Sequence, residues 1–391
     1  MQRLIIVTVL ISFLLVGCSP KEEKRENYFI IKGKLKNAAN IRFGIDELTP
    51  KDLVPVDSIF TDNEGKFAYR SLNIEDAGFY ILRINRINSL TLLIEPGEVV
   101  SLTGDANNIL KTAEIDGSAG SNLMLKLNRK LAQSYNVLDS LADLYRESRY
   151  LPEFDNIRQT LNAEYVRIYE GQKNFVQKFI KNNPESLASI IALNQYLGAR
   201  MLLTMSENFE LFESLSNSLS AIYPTNKHVI DLKRQISNFK RRSFQRQQAE
   251  EQLALGKKAP EILMNNNFGT PTALSSLSGK FVLIDFWANW CDLCLENNEK
   301  LKHIHSLYKK QGFEIYAVSL DRSINEWQQG IDKLKANWIH VSDLQFWNSP
   351  VIGLYNIDGL PFNVLIDREG IIIGKNLAPE ELEEILSKKL K

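Results

Sequence analysis

The chain has 391 residues, of which 44% are hydrophobic and 24% are charged, the composition of an ordinary globular protein. This length is too great for one ordinary hydrophobic core, so we expect two or three domains. Its 47 basic residues balance 47 acidic residues, which excludes a global attraction to nucleic acid or anionic membranes. No nucleic-acid partner is therefore expected.

The first residues of the chain predict a targeting segment. Arg3 is followed by an apolar stretch at residues 4–16, which has the length of a signal peptide and is short for a membrane span. The stretch ends in a Leu-Val-Gly-Cys sequence whose last residue is Cys18, and this sequence resembles the lipobox of bacterial lipoproteins. The resemblance implies that residues 1–17 are a signal peptide and that Cys18 carries a lipid anchor in the membrane. An uncleaved anchor, or a plain signal peptide with an incidental cysteine, is the alternative.

The residues that follow Cys18 bear on its location. Residues 18–27 are charged and lack apolar periodicity, which predicts a tether. Ser19 resembles the pattern of lipoproteins that are not retained in the inner membrane, and the Lys-Glu-Glu sequence at residues 21–23 resembles the export tag of some surface lipoproteins. We therefore expect a cell-envelope protein on the periplasmic side of the outer membrane, with surface exposure as the alternative.

Residues 28–117 carry the signals of β-structure. Apolar residues alternate over residues 29–35, and an Asp-Asn-Glu-Gly turn at residues 62–65 separates two further apolar runs. A Glu-Pro-Gly-Glu turn at residues 95–98 leads into another run. Strands at this spacing predict a small antiparallel sandwich or barrel. Because the region has no cluster of candidate catalytic residues, we expect it to have a structural or partner-binding role.

Residues 118–250 change to a helical period. Apolar residues recur on one face over residues 123–145 and again over residues 154–179, which predicts long amphipathic helices around a packed core. The last predicted helix carries a basic run at residues 240–242, followed by Arg246. We expect this run to be a solvated face, with a contact to anionic lipid headgroups as the alternative.

The last predicted domain, residues 256–391, holds the motif that is most informative about function. A Trp-Cys-Asp-Leu-Cys sequence at residues 290–294 follows an apolar run at residues 281–287, which predicts a strand that leads into a helix. Cys291 is then placed at a helix N-terminus, where unpaired backbone N–H groups and the helix dipole stabilise a thiolate. Cys294, about one helical turn further on, can resolve a mixed disulfide formed on Cys291. The pair predicts thiol–disulfide exchange.

A zinc half-site is the structural alternative for such a cysteine pair. Zinc would need two further ligands. His303 and His305 are two residues apart on a predicted helix and would point to nearly opposite faces, while His228 and His340 lie in other segments. No metal site is therefore expected.

Several separated sequences in the last domain resemble the TlpA/ResA-like family of the thioredoxin superfamily. They lie at residues 256–260, 286–291, 318–321, 359–361 and 365–370. The β region resembles an N-terminal domain of unassigned function that is often joined to thioredoxin-like domains in Bacteroidetes lipoproteins. The predicted fold class is a multidomain chain with an N-terminal all-β sandwich or barrel, a helical middle region and a C-terminal α/β thioredoxin-like domain, whose mixed sheet has helices on both faces.

The resemblance implies roles for residues beyond the two cysteines. Asp285, six residues before Cys291, matches the buried acid of thioredoxins that accepts the proton of the resolving thiol. Burial raises the pKa of a carboxyl group and makes it a base near neutral pH, and a strand-end aspartate that reaches solvent is the alternative. Leu360 and Pro361 match the cis-proline loop that pairs with extended substrates, and a trans turn proline is the alternative. Trp290 is expected to shield the thiols and offer a flat contact surface.

Three positions depart from the family pattern. Asn297 stands where the family commonly has a glutamate, so no buried glutamate is expected there. Leu293 replaces a proline between the cysteines, and because this pair tunes the reduction potential, the direction of the reaction is left open. Phe362 replaces a threonine after the cis-proline and would make the mouth of the site more apolar.

Together these motifs predict a lipid-anchored envelope thiol–disulfide oxidoreductase that reduces disulfides of exported proteins, with oxidation or isomerisation of disulfides as the alternatives. The sequence has no nicotinamide or flavin fingerprint, so no cofactor is expected and a membrane thiol carrier is the expected electron donor. A thiol peroxidase is a second class, although neither cysteine has the Pro-x-x-x-Thr/Ser-x-x-Cys context. The third class is a non-catalytic lipoprotein that binds envelope partners.

Overall fold

A computed structural model describes residues 27–390. These residues fall into two compact units, of which the first ends at Ser237 and the second begins at Asn238. None of the helices among the described residues combines the length and the apolar composition that are needed to cross a membrane. Residues 1–26, which include Cys18, lie outside the described residues.

The first unit begins with strands. Their bounds are β1 (Tyr28–Lys36), β2 (Arg42–Leu48), β3 (Leu53–Phe60), β4 (Lys66–Leu72), β5 (Gly78–Arg83), β6 (Ser89–Ile94), β7 (Val99–Asp105) and β8 (Glu114–Asp116). Within the described residues these strands form two four-stranded sheets, in the orders β4-β1-β7-β8 and β3-β2-β5-β6. Alternate residues such as Phe29, Ile31 and Phe43 are buried in one apolar core that both sheets share. The predicted N-terminal β region is confirmed.

One strand pair differs from the antiparallel arrangement that the sequence predicts. β1 pairs antiparallel with β4 but parallel with β7, where Ile31 lies opposite Val100. Tight turns fix an antiparallel direction only between strands that follow each other in the chain. β1 and β7 are separated by five other strands, so no turn signal specifies how they pair.

Helices complete the first unit and confirm the predicted helical middle region. Their bounds are α1 (Ile109–Thr112), α2 (Ala119–Ser148), α3 (Phe154–Asn182), α4 (Ala188–Leu193), α5 (Phe209–Ile222) and α6 (Lys227–Gln252), and the small hairpin of β9 (Tyr196–Leu197) and β10 (Arg200–Met201) lies between α4 and α5. The boundary between the two units falls inside α6, after Ser237. Ser118 caps α2, because its hydroxyl oxygen accepts the Ser121 N–H at 3.2 Å. Leu127 of α2 and Val176 of α3 are fully buried in the core that these helices share.

The second unit is a sheet flanked by helices. Its strands are β11 (Leu263–Asn266), β12 (Pro271–Ala273), β13 (Phe281–Trp287), β14 (Phe313–Ser319), β15 (Ile339–Ser342), β16 (Phe362–Ile366) and β17 (Ile372–Lys375). Its helices are α7 (Asp292–Tyr308), α8 (Ile324–Leu334), α9 (Pro350–Leu354) and α10 (Pro379–Lys389). The sheet has seven strands among the described residues, in the order β12-β11-β15-β14-β13-β16-β17. This arrangement confirms the predicted thioredoxin-like domain with a mixed sheet.

Strand β13 is interior to this sheet and positions the site. It lies between β14, which runs parallel to it, and β16, which runs antiparallel. All seven of its residues are buried, as expected for a strand covered on both faces. Side chains at Leu283 and Trp287 pack in the core shared with α7, whereas Val282 and Ile284 pack in the core on the opposite face.

Candidate active site

The two cysteines of the second unit form a disulfide at the beginning of α7. The Cys291–Cys294 bond has an S–S distance of 2.01 Å and a Cα–Cα distance of 5.2 Å. Cys291 is the N-cap residue of α7, and its sulfur accepts the Cys294 N–H at 3.2 Å. Cys291 is 8% exposed and Cys294 is 2% exposed, so Cys291 presents more surface to a substrate. The same N–H group and the helix N-terminus would stabilise a Cys291 thiolate after reduction.

Asp285 lies inside β13 and not at its end, because the strand continues to Trp287. Its alternation with Leu283 and Trp287 places it on the sheet face that also buries Cys291 and Cys294. The side chain is 5% exposed, and burial raises the pKa of Asp285 to about 7. Burial is the cause of this shift, with no contribution from a charged neighbour. A carboxyl group with this pKa can take and release a proton near neutral pH.

The Leu360–Pro361 loop stands at the same end of the sheet as the disulfide. Its peptide bond is cis, and β16 begins directly after it at Phe362. Phe362 lies opposite Phe286, which is close to the end of β13. Because β13 leads from that end into the cysteine turn, the Leu360–Pro361 loop and the cysteine turn lie at the same end of these two neighbouring strands. Leu360 and Pro361 are both partly exposed there.

The two tryptophans before the cysteines occupy different environments. Trp287 is 1% exposed and belongs to the core, where Gly330 of α8 allows a close approach, since an added Cβ would lie 2.9 Å from the Trp287 ring. Trp290 is 45% exposed and stands directly before Cys291. Its ring centroid lies 5.4 Å from that of Phe346, a contact that sequence reasoning missed.

Asp321 is a second buried carboxylate that sequence reasoning did not assign to the site. It is fully buried, and the Asn289 N–H donates to its two carboxylate oxygens at 3.0 and 3.3 Å. The Ser319 hydroxyl donates to it at 2.8 Å. Burial raises the pKa of Asp321. Because Asn289 is two residues before Cys291, Asp321 holds the backbone of the cysteine turn. The available signal was an acid that stands two residues after an apolar strand.

Two of the three departures from the family pattern, Leu293 and Asn297, lie in α7. Leu293 is 55% exposed and stands beside the disulfide at the surface. Glu296 and Glu299 are exposed on the outer side of the helix, as their spacing predicts. Asn298 is buried, and Asn297 is partly exposed. These glutamates of α7 are therefore exposed to solvent, whereas Asp285 of β13 is buried on the sheet face that also buries the two cysteines.

The histidines and the basic run were also singled out by the sequence. Across residues 27–390, His, Cys, Asp and Glu side chains form no group of three or more that could hold a metal ion. His305 instead pairs with Glu314 at 2.7 Å. Arg246, which was expected on a solvated face, donates to Asp358 at 2.8 Å, and both side chains stay largely exposed.

Comparisons with known proteins agree with this geometry. The sequence model of a family described as thioredoxin-like matches residues 279–372. The thiol-disulfide oxidoreductase ResA of Geobacillus kaustophilus is 30% identical over 137 residues, which cover 34% of this chain and 77% of that protein. The ResA of one Bacillus cereus strain is 27% identical over 141 residues, which cover 35% of this chain and 77% of that protein.

The solved structures include the thioredoxin domain of a thiol-disulfide oxidoreductase from Bacteroides vulgatus. It is 33% identical, with a TM-score of 0.34, and the match covers 35% of this chain and 99% of that domain. All three relatives align with about a third of the chain. The sequence relatives confirm the family that the motifs predict: the chain belongs to the TlpA/ResA-like thiol-disulfide oxidoreductases of the thioredoxin superfamily.

Proposed function

We propose that this protein is an exported, lipid-anchored oxidoreductase that reduces disulfide bonds of other exported proteins. The observation that carries the proposal is the Cys291–Cys294 disulfide at the start of α7, on the sheet face that also buries Asp285. A more exposed sulfur, a less exposed sulfur and a base with a raised pKa are the three groups that stepwise disulfide reduction requires. The activity is assigned to residues 256–391, and a structural or partner-binding role to residues 28–117 and 118–250.

The reaction starts from the reduced protein. The Cys291 thiolate attacks a substrate disulfide, forms a mixed disulfide and releases one substrate sulfur as a thiolate. The Cys294 thiol then gives its proton to Asp285, and its sulfur attacks the sulfur of Cys291. This closes the Cys291–Cys294 bond and releases the second substrate sulfur, so that two electrons pass from the protein to the substrate. With a pKa of about 7, Asp285 is partly ionised near neutral pH and can accept that proton.

Substrate binding is assigned to the Leu360–Pro361 loop and to the surface next to Cys291. The backbone of Leu360, held next to the cis bond of Pro361, is the group that pairs with an extended substrate. The exposed ring of Trp290, directly before Cys291, is assigned as a second contact surface for the substrate. Phe362 is partly buried against Phe286, with ring centroids 5.8 Å apart, so the loop rests on an apolar base.

Two further parts of the proposal concern location and electron supply. The lipobox-like sequence that ends at Cys18 supports export and a lipid anchor in the cell envelope, on the periplasmic side of the outer membrane. Repeated reduction needs electrons from a donor, which we assign to a membrane thiol protein because the sequence carries no nicotinamide or flavin fingerprint. Metabolic labelling with palmitate tests the anchor. Label that persists in a Cys18→Ser variant would contradict it.

A trapping experiment tests the enzymatic proposal. In a Cys294→Ser variant the mixed disulfide on Cys291 cannot be resolved, so substrate proteins should stay attached and be identified by mass spectrometry. A Cys291→Ser variant is the matched control and should capture nothing. If Cys294→Ser captures no protein and the wild type does not reduce insulin, the proposal is wrong. Faster oxidation of a reduced peptide than reduction of its disulfide would reverse the assigned direction.

A further inference from the structure

Three aromatic side chains form a surface beside the reacting sulfur, and we name Trp290, Phe346 and Trp347 the aromatic patch. The ring centroid of Trp290 lies 5.4 Å from that of Phe346 and 6.2 Å from that of Trp347. Phe346 and Trp347 are 5.9 Å apart in an edge-to-face arrangement. Trp290 is 45% exposed and Trp347 is 36% exposed, so the cluster keeps open ring faces although its members pack on one another.

The patch is fixed to the same loop that holds the cysteine turn. The Arg322 guanidinium lies 4.0 Å over the ring of Phe346, a cation–π contact. Arg322 directly follows Asp321, whose carboxylate binds the Asn289 N–H next to Trp290. One short segment therefore positions both the backbone before Cys291 and the ring that faces Trp290.

The loop that carries Phe346 and Trp347 is conformationally strained. Leu344 has φ 59° and Phe346 has φ 55°, in the left-handed region that large side chains rarely adopt. Hydrogen bonds hold the loop in this form: the Ser349 hydroxyl donates to Asp343 at 2.6 Å, and the Leu344 N–H donates to the Ser342 hydroxyl at 3.1 Å. Strain of this kind persists where the surrounding structure requires it, and it clusters at functional sites. Here it places an aromatic ring against Trp290.

The position of the patch restricts what can occupy it. A substrate must bring one of its sulfurs to Cys291, which is only 8% exposed, so the residues next to the substrate cysteine must pass over the neighbouring surface. Trp290 directly precedes Cys291 and contacts Trp347, and Leu293, which is 55% exposed, is two residues after Cys291. Exposed aromatic ring faces and an aliphatic side chain bind apolar side chains favourably, because the contact removes apolar surface from water. They have few hydrogen-bonding groups for polar side chains.

We propose that the aromatic patch is the specificity-determining surface of this enzyme, and that it binds an aromatic or aliphatic side chain next to the disulfide cysteine of an extended polypeptide. The inference rests on the proposed function, because it names the class of substrate for that same site. Such segments are buried in folded proteins. The preferred substrates are therefore unfolded or misfolded exported chains whose cysteines have apolar neighbours.

Single-turnover kinetics with two peptides test the inference. The reduced full-length protein is mixed with a short peptide dimer joined by one disulfide, with either leucine and tryptophan or serine and glycine beside each cysteine. Each turnover moves two electrons from the Cys291 and Cys294 thiols to the peptide, which leaves as two thiols. We expect the wild type to react roughly three- to tenfold faster with the apolar peptide, the range that aromatic contacts confer.

Variants of Trp347 test whether the aromatic patch causes the preference for the apolar peptide. Trp347→Ala should bring the ratio of the two rates close to one, and Trp347→Phe should retain most of the preference because it keeps an aromatic face. Phe268→Ala is the matched control, since Phe268 is 85% exposed in the same unit, at the turn between β11 and β12, and its loss should not change the ratio. Trp347→Phe also separates loss of the ring from misfolding of the loop.

Two results would overturn the inference while leaving the proposed function intact. One is a wild type that reduces both peptides at equal rates. The other is a Trp347→Ala variant that slows both peptides by one common factor, which would mean a general structural role. A wild type that reduces neither peptide, although iodoacetamide alkylates Cys291, would overturn the proposed function together with the inference.

Discussion

Each of the two units buries an aspartate within a β-sheet, and the two carboxylates differ in whether a cationic side chain pairs with them. In the first unit Asp46 is 1% exposed, and Arg83 donates to both of its oxygens at 2.8 and 2.9 Å. In the second unit Asp285 is 5% exposed, and burial alone raises its pKa to about 7. A buried carboxylate with a bidentate arginine partner has its oxygens paired and contributes to the fold. A buried carboxylate without a cationic partner lowers the stability of the fold when it is ionised. It can exchange a proton near neutral pH, and this makes it useful next to a thiol.

The largest expected effect is on the pH dependence of stability. Asp285 binds a proton more tightly in the folded chain, where its pKa is about 7, than in the unfolded chain, where it is close to 3.8. Its contribution to the free energy of unfolding therefore falls as the pH rises from 4 to 7 and is constant above pH 7, a loss of about 4 kcal/mol. Asp285→Asn should remove this loss and be more stable than the wild type at pH 8.

Urea unfolding at pH 4.5 and pH 8 measures this difference. Tryptophan fluorescence reports on the second unit alone, because all five tryptophans lie after residue 237. The control is Asp367→Asn, since Asp367 is a partly exposed carboxylate that accepts the Ile371 N–H in the turn between β16 and β17. If Asp285→Asn and the wild type lose stability equally between the two pH values, Asp285 does not carry an unbalanced charge.

The next effect concerns the reaction. Without a base, the Cys294 thiol loses its proton more slowly, and Asp285→Asn should slow the release of substrate from the mixed disulfide by about a hundredfold. Attack by Cys291 should change far less, because its thiolate is stabilised by the helix N-terminus. Stopped-flow kinetics with a peptide disulfide separates the two steps. Equal slowing of both steps would assign Asp285 to the structure of the site and not to proton transfer.

The comparison can be reversed by making Asp46 resemble Asp285. Arg83→Ala would leave Asp46 buried without its partner, and we expect the free energy of unfolding to fall, by less than for a fully buried pair because Arg83 is half exposed. Hydrogen exchange of β2 and β5 measures the loss locally. The reduction of peptide disulfides should be unchanged. Unaltered exchange in both strands would show that the ion pair contributes nothing.

The smallest effect is expected at Asp321. Asp321→Asn removes one acceptor and weakens the hold on the Asn289 N–H, so the cysteine turn should loosen and peptide reduction should fall about fivefold. The looser turn also aligns the helix N-terminus less well with Cys291, so the pKa of that thiol should rise. The pH profile of Cys291 alkylation detects this shift, with Asp367→Asn as the control. A change in stability with an unshifted profile would leave Asp321 with a structural role only.

The sequence predicts the fold and the reacting groups because their signals are local. The apolar run of β13, the spacing of Cys291 and Cys294 and the offset of Asp285 can all be identified within one short segment. The β region and the helices follow from periodicity in the same way. These signals are sufficient to predict the thioredoxin-like domain before any contact is known.

The features that the sequence does not predict depend on contacts between distant residues. Asp321 acts on Asn289, and Phe346 meets Trp290, so each contact exists only once β13, β14 and β15 are aligned in the sheet. The left-handed conformation of Phe346 has no sequence signal, because large residues disfavour it and glycine would be the expected marker. The parallel pairing of β1 with β7 is missed for the same reason, since no turn joins these strands.

Because the chain has so few cysteines, the number of its free thiols reports the redox state of the Cys291–Cys294 pair. Outside Cys18, the disulfide of Cys291 and Cys294 uses both thiols of the sequence. If the proposed lipid anchor blocks Cys18, a maleimide polymer added to cells under a denaturing quench tags reduced chains twice and leaves bridged chains untagged. The ratio of the two electrophoretic bands gives the fraction of reduced enzyme in its native compartment, with no mutation and no reporter fusion.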